Sequence, residues 1–183
     1  KQMRNIILCG FMGCGKTSVG RRAARLLNRE FCDLDQYIEQ KEGLTVSEIF
    51  ARFGEEGFRQ REAQAVEEVA VRPGLIIASG GGTVLAEKNV SAFHRAGGMI
   101  VFLDTPLAAL QERLKNDKRR PLLQVPDRRK VIAQLHAKRS PLYHAAADVT
   151  IDAGAPPGTV ARRLAALDFP FSEKKLDNGP KSR

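Results

Sequence analysis

Apolar residues in this chain fall into short unbroken runs, separated by stretches of helical spacing. The runs are Ile6 to Cys9, Phe31 to Asp33, Leu75 to Ala78, Met99 to Leu103 and Val149 to Ile151. Runs this short, with little polar alternation, predict strands buried on both faces. Between them, Thr17 to Asn28 carries leucine and alanine at helical spacing. Thr45-Val46-Ser47-Glu48 is a capping box that opens a helix. That helix is expected to break near Gly54 and Gly57, resume from Phe58 to Val71, and stop at Pro73-Gly74. Further helices are expected over Glu87 to Arg95, from Pro106 as the first helical residue, and over Arg128 to Ala147 with an interruption at Pro141. A last one runs from Pro156-Pro157-Gly158 to Leu167. Asn116 to Asp127 lacks periodicity, holds two prolines and reads as a mobile loop. Alternating strands and helices predict an α/β fold, a parallel sheet between two helical layers.

Composition narrows the organisation. The chain has 183 residues, 43% hydrophobic and 28% charged, which suits one domain with a real core. That domain is expected over residues 1–167, with the loop 116–127 inserted and 168–183 a polar, disordered tail. Apolar runs are too short for a membrane span, and Ile6-Ile7-Leu8 is too brief for a signal-peptide core. Cys9, Cys14 and Cys32 have no zinc-type spacing and read as reduced thiols of a cytoplasmic protein.

The net charge of +9 is concentrated. Between Arg113 and Arg139, ten basic residues face only Asp117 and Asp127, so this one segment carries +8. Such a field favours an anionic ligand, either nucleotide phosphates or nucleic acid. The absence of tryptophan and the presence of only two tyrosines leave few stacking platforms for nucleic-acid bases.

Gly10-Phe11-Met12-Gly13-Cys14-Gly15-Lys16-Thr17 matches the Walker A pattern in full, with a strand before it and a helix after. Its glycines let backbone N–H groups curl around phosphate oxygens, and the helix aims its N-terminus at the same anion. Lys16 is placed to neutralise the β- and γ-phosphates and Thr17 to offer its hydroxyl to Mg²⁺. Cys14 contributes its backbone amide.

Four further features bear on the reaction. Asp33-Leu34-Asp35 closes the second strand, and residues i and i+2 of an extended chain share a face, so both carboxylates are expected in one cleft. One would hold Mg²⁺ through water; the other would orient a hydroxyl and take its proton. The pair fits equally an ordinary strand-to-helix junction with Asp35 as N-cap. Gly80-Gly81-Gly82 allows close approach of backbone to a ligand, or is a flexible turn. Arg59, in Phe58-Arg59-Gln60-Arg61-Glu62, offers a fork for a carboxylate, or lies on a solvated helix face. Lys118-Arg119-Arg120-Pro121-Leu122-Leu123 reads as a lid whose arginine meets transition-state charge, or as a solvated basic loop.

Taken together these pieces resemble the shikimate kinase family over about residues 3 to 167. GFMGCGKTSVG, DLD, EEGFRQRE, ASGGG, RPLL and RSPLY occur in the family's order and at its spacing. The resemblance implies a three-layer α/β/α fold with a five-stranded parallel sheet of the nucleoside-monophosphate-kinase type. It implies transfer of the γ-phosphoryl of ATP to the 3-hydroxyl of shikimate, a step toward chorismate and the aromatic amino acids. By the same resemblance Gly13, Cys14, Gly15, Lys16, Thr17 and Ser18 wrap the phosphates, and Asp33 is the outer-sphere magnesium partner. Asp35 binds substrate hydroxyls and acts as base; Arg59 and Arg139 clamp the substrate carboxylate; Gly81, with Gly82 beside it, meets the substrate through backbone. Arg120 closes over the phosphates. Arg113 and the loop Asp152 to Pro157 lie by the adenine, although Ala153-Gly154-Ala155-Pro156-Pro157 has no basic or polar side chain of the kind family members often carry there. Ser79 stands where a Walker B acid would, leaving Asp33 to that role.

The residues support this without the name. Two separate arginines suit an acid and a carboxylate suits a hydroxyl, so the acceptor is expected to be a small hydroxylated carboxylic acid. The chain is expected to act as a monomer on ATP and shikimate, without nucleic acid or membrane. A gluconate-type kinase is the nearest rival; a nucleic-acid-binding module is a rival of another class.

Overall fold

Short apolar strands are buried inside a sheet covered on both faces, and the central strands are used that way, while the last, Val149–Asp152, leaves Thr150 and Asp152 exposed at the sheet edge. The computed structural model describes residues 3–118 and 120–167; the disorder expected of the tail lies outside the described residues. Strands β1 (Ile6–Cys9), β2 (Phe31–Asp33), β3 (Ile76–Ala78), β4 (Met99–Asp104) and β5 (Val149–Asp152) form one sheet in the order β2-β3-β1-β4-β5. Every pairing is parallel, with Ile6 opposite Ile76 and Met99, and Cys32 opposite Ile77. Ile6, Ile7, Leu8, Ile76, Ile77, Ile100 and Val101 are fully buried.

The helices are α1 (Lys16–Leu27), α2 (Leu34–Glu42), α3 (Val46–Ala70), α4 (Glu87–Arg95), α5 (Leu107–Leu114), α6 (Arg128–Ala146) and α7 (Pro157–Ala166). The crossover from β1 to β2 runs one way along the sheet and that from β3 to β4 the other. Right-handed crossovers therefore put α1 and α4 on opposite faces. Helix α1 packs with α7, and α3 with α4. No helix among the described residues is long and apolar enough to cross a membrane.

Several local expectations are met. The capping box forms in both directions: Glu48 donates its N–H to Thr45 Oγ1 at 3.2 Å, and Glu48 Oε2 accepts the Thr45 N–H at 2.7 Å. The break in α3 falls at Gly54, with φ 68° and ψ −176°, while Gly57 stays helical. The loop after α5 contains a short 3₁₀ turn, Pro121–Leu123, and Leu123 is fully buried.

Three expectations are corrected. Pro106 is the N-cap of α5, with extended ψ of 140°, and not its first helical residue. Pro141 does not interrupt α6. The preceding turn at Ala137 and Lys138 is exposed, so water can serve the carbonyl that the proline ring frees. Buried Ile132 and Tyr143 hold the helix on either side. Third, a separate helix, α2, begins directly at the end of β2, with the consequence for Asp35 described below.

Helix α1 must lie close on the sheet for the loop before it to sit at the rim. Gly20 allows this: a Cβ there would stand 2.6 Å from Phe31 Cε2 and 3.2 Å from Leu8 Cδ1. Gly20→Val is expected to cost about 2 kcal/mol through overpacking. The readout is a lower urea midpoint at unchanged slope; a midpoint at or above the parent's would show that α1 does not depend on this contact.

Candidate active site

The loops that follow β1, β2 and β3 all leave the sheet at its carboxyl rim, where ligands of open α/β sheets bind. After β1 the chain turns through Gly10, Gly13 and Gly15, at φ 146°, 77° and 96°. At Gly10 a Cβ would also stand 3.0 Å from the Leu103 carbonyl oxygen. Gly15 ends the loop as N-cap of α1 and supplies no side-chain cap. The first-turn N–H groups, those of Lys16, Thr17 and Ser18 among them, have no intrahelical acceptor and face an anion site. Lys16 Nζ lies across the loop, donating to the carbonyls of Gly10 (2.7 Å) and Phe11 (3.2 Å). Cys14 is buried with its sulfur 3.7 Å from Lys16 Nζ. The Ser18 side chain is exposed. Thr17 Oγ1 donates to Asp33 Oδ2 at 3.0 Å, joining the loop to the end of β2.

Asp33 and Asp35 both reach the cleft, but not on one extended strand. Asp33 is the N-cap of α2, its Oδ1 accepting the Gln36 N–H at 3.2 Å. Asp35 is therefore neither N-cap nor strand residue; it sits in the first turn of α2. The helix starts there because Asp33 can satisfy an orphan N–H, which an extended continuation would waste. Asp35 turns toward β3, with Oδ1 3.1 Å from the place a Cβ on Gly80 would take. Burial pushes its carboxyl up to about pKa 6, and the neighbouring Asp33 and Glu62 charges add to this against the pull of Lys16.

Glu62 was not singled out from the sequence, yet it organises the next part of the site. It is fully buried on α3. Its Oε1 accepts from Arg59 Nη1 at 2.8 Å and its Oε2 from Thr83 Oγ1 at 2.8 Å. Thr83 is held in turn by its carbonyl, which accepts from Asn89 Nδ2 at 2.9 Å. Arg59 is half-buried and not on a solvated face. Its guanidinium carbon lies 2.8 Å from the Cβ position of Gly82, so any side chain there would displace it. Arg139, on α6, lies further off Gly81, with Nη1 at an ordinary contact distance of 3.7 Å from that Cβ position. Arg139 also lies beside fully buried Tyr143, whose hydroxyl donates to the Gly81 carbonyl at 2.6 Å. Asp35 and Arg59 thus stand tight against Gly80 and Gly82, and Arg139 is in contact range of Gly81, so the triple glycine brings backbone close to all three side chains. The sequence signal for Glu62 was its place three residues after Arg59 and ahead of apolar Ala65, Val66 and Val69.

The remaining expected residues lie on the other side of the phosphate loop. Arg113, on α5, donates to the carbonyls of Gly13 (3.1 Å) and Ala153 (3.4 Å), tying the phosphate loop to the segment after β5. Pro157 opens α7 and is exposed. Ser79 follows β3 and donates its hydroxyl to the Leu8 carbonyl at 2.8 Å. Arg120 is not brought to the phosphate loop; its guanidinium pairs with Asp117, whose Oδ1 also accepts the Arg120 N–H at 3.1 Å. The rim therefore combines an anion-binding loop, a buried carboxylate of raised pKa and two guanidinium groups over glycine backbone.

Comparison with known proteins agrees with this arrangement. A family model for shikimate kinase matches residues 12–167. A shikimate kinase from Shewanella oneidensis is 44% identical over 150 residues, covering 82% of this chain and 87% of that protein. One from Aromatoleum aromaticum is 41% identical over 174 residues, covering 94% and 99%. The structure of a shikimate kinase from Acinetobacter baumannii, solved in complex with shikimate, superimposes with a TM-score of 0.82 at 40% identity, covering 90% of this chain and 92% of that one. A gluconokinase from Sinorhizobium meliloti aligns at a TM-score of 0.55 and 18% identity, a likeness of fold alone. With motifs, fold and relatives in agreement, the chain belongs to the shikimate kinase family.

Proposed function

We propose that this chain transfers the γ-phosphoryl group of ATP to the 3-hydroxyl of shikimate, with Asp35 as base and Arg59 and Arg139 as the carboxylate clamp. The observation that carries the reading is the convergence of Asp35, Arg59 and Arg139 on Gly80-Gly81-Gly82, in one cleft with the phosphate loop. A neutral acceptor would have no use for two guanidinium groups. An acceptor with one carboxylate and adjacent hydroxyls uses both guanidinium groups and the buried carboxylate beside them.

Each residue then has a task. Backbone N–H groups from Gly13 to Ser18, Cys14 and Gly15 included, bind phosphate oxygens. Lys16 exchanges the Gly10 and Phe11 carbonyls for phosphate oxygens of ATP. Arg113 and the loop from Asp152 to Pro157 border the adenine. Gly81 and Gly82 keep the floor of the acceptor site low enough for backbone contact. Asp35, ionised at neutral pH but basic for a carboxylate, accepts the hydroxyl proton as the acceptor oxygen bonds to phosphorus and the bond to the β-phosphate oxygen breaks. Arg120, in a lid over 116–127, leaves Asp117 to meet the charge spread over the transferred group.

Thr17 and Asp33 fit Mg²⁺: a hydroxyl and a carboxylate oxygen stand 3.0 Å apart at the phosphate loop. Both are hard oxygen donors, and magnesium in nucleotide sites needs only one or two protein groups beside phosphates and water. Thr17 would hold it directly and Asp33 through water, and the ion would neutralise phosphate charge. All these groups come from one chain, which supports a monomer as the working unit. Free Cys9, Cys14 and Cys32 fit a cytoplasmic setting.

Coupled ADP-release assays with shikimate and gluconate test the acceptor. Turnover is expected with shikimate alone; gluconate turnover without shikimate turnover would overturn the reading. Asp35→Asn is expected to lower kcat at least about 100-fold. In the parent, kcat/KM should fall about tenfold per pH unit below about pH 6, as Asp35 takes up its proton. The same residue opposes folding. Its folded pKa is above the ordinary 3.8, so the folded state binds more protons in that window and the contribution turns unfavourable as pH rises through it. Asp35→Asn should therefore raise stability at neutral pH by on the order of 1 kcal/mol, seen as a higher thermal midpoint. An inactive variant with a lowered midpoint would contradict this account of the raised pKa. Arg120→Ala should cut kcat about 100-fold or more while KM for shikimate changes less than about threefold. An unchanged kcat would remove Arg120 from the mechanism.

A further inference from the structure

The loop that carries Arg120 leaves α5 after Leu114 and returns at Leu123, just before α6. Both ends are held by one side chain. Arg128, the first residue of α6, donates from Nη1 to the carbonyls of Leu114 (2.9 Å) and Lys115 (2.8 Å), and from Nε to the carbonyl of Leu123 (2.8 Å). The first two are carbonyls at the C-terminus of α5, where orphan acceptors and the helix dipole favour a cation. The third lies on the loop's returning arm, at a residue whose side chain is fully buried. Within the loop, the Leu123 N–H donates to the Arg120 carbonyl at 3.0 Å, so the returning end is bonded to Arg120 itself.

We propose that Arg128 is a positioning residue that closes the base of this loop, so that Arg120 is presented to the phosphates on a pre-shaped unit and not on a free chain. The inference rests on the reading of Arg120 given above. Its physical basis is entropic: a loop with unjoined ends samples many placements of its tip, and misplacing a catalytic group by an ångström costs rate. Arg128 stands in the basic segment, yet the bonds from Nε and Nη1 go to backbone carbonyls. It shapes the loop and leaves anion binding to others.

The test uses Arg128→Met and Arg128→Lys, with Arg120→Ala alongside, each also in a Leu122→Trp background. Leu122 is 53% exposed, and the chain has no tryptophan of its own, so the new one reports on the loop alone. Arg128→Met should lower the tryptophan anisotropy and reduce kcat about tenfold or more, with KM for shikimate within about twofold. Arg128→Lys keeps a cation at the end of α5 but has one nitrogen where the bridge uses two. It should recover the thermal midpoint without recovering kcat. Unchanged anisotropy in Arg128→Met overturns the proposal whatever the activity. So does a parental kcat in that variant where Arg120→Ala is impaired, or full recovery of kcat by lysine. If Arg120→Ala keeps parental kcat, the reading of Arg120 fails separately, and anisotropy alone decides the role of Arg128.

Discussion

A carboxylate with no exposed surface has to be compensated where it lies, and in this protein that carboxylate is Glu62. Arg59 and Thr83 do so from two sides. Once Arg59 is drawn to Glu62, its guanidinium lies against Gly82, and any side chain there would push it from that place. Once Thr83 is drawn to it, the turn after β3 is anchored, and Gly80 faces Asp35. The charge on Glu62 also helps to raise the Asp35 pKa. One buried charge thus sets the glycine requirement, the arginine geometry and part of the basicity of the proposed base. Losing Glu62 would strand Arg59 and Thr83 together, so its cost would exceed that of any one contact.

The basic segment has a different meaning in the fold from its meaning in the sequence. Read as charge, Arg113 to Arg139 suggested an anionic surface ligand. In the structure, Arg113 bonds the carbonyls of Gly13 and Ala153, Arg120 pairs with Asp117, Arg128 bonds three carbonyls, and Arg139 meets Tyr143 and Gly81. Guanidinium suits this work because its nitrogens point in fixed, different directions, so one side chain can join two backbone segments. Much of the local positive charge is therefore spent inside the molecule, shaping the phosphate loop, the Arg120 loop and the acceptor floor.

How much of this was legible depended on how local each cause is. The phosphate loop, the capping box at Thr45 and the stop at Pro73-Gly74 are consequences of adjacent residues, and each is where the sequence put it. The inner strands were legible because burial on both faces leaves no polar alternation, and the edge strand β5 because Val149 and Ile151 still alternate with exposed Thr150 and Asp152. Asp33 and Asp35 reached the right cleft by a wrong argument: the extended geometry that would put them on one face ends at Asp33, and the first turn of α2 delivers Asp35 instead. Pro106 departed from expectation because its ψ of 140° leaves it one residue outside the helix, and Pro141 because the exposed turn before it leaves the freed carbonyl to water while buried Ile132 and Tyr143 hold the helix. Glu62, Tyr143, Asp117 and Arg128 act through partners 3 to 62 residues away, some close along the chain and others brought near only by the fold. Even the nearby pairs looked like ordinary surface charges, since a charge pair three apart on a helix is common whether or not it is buried.

The proposed chemistry adds one more demand on this rim. An acid acceptor brings a further negative charge beside Asp33, Asp35 and Glu62, and in a poorly hydrated cleft that repulsion would exclude it. Arg59 already neutralises Glu62, so it can offer only part of its charge to the acceptor. Among the described residues Arg139 has no carboxylate partner; it lies beside the Tyr143 hydroxyl and the Gly81 backbone. The two arginines are therefore unequal. Arg59 is positioned and partly discharged by Glu62, while Arg139 keeps its full charge for an incoming carboxylate. On this reading Arg139 supplies most of the attraction, Arg59 supplies direction, and the cleft admits an anion because the cation that greets it has no carboxylate partner among the described residues.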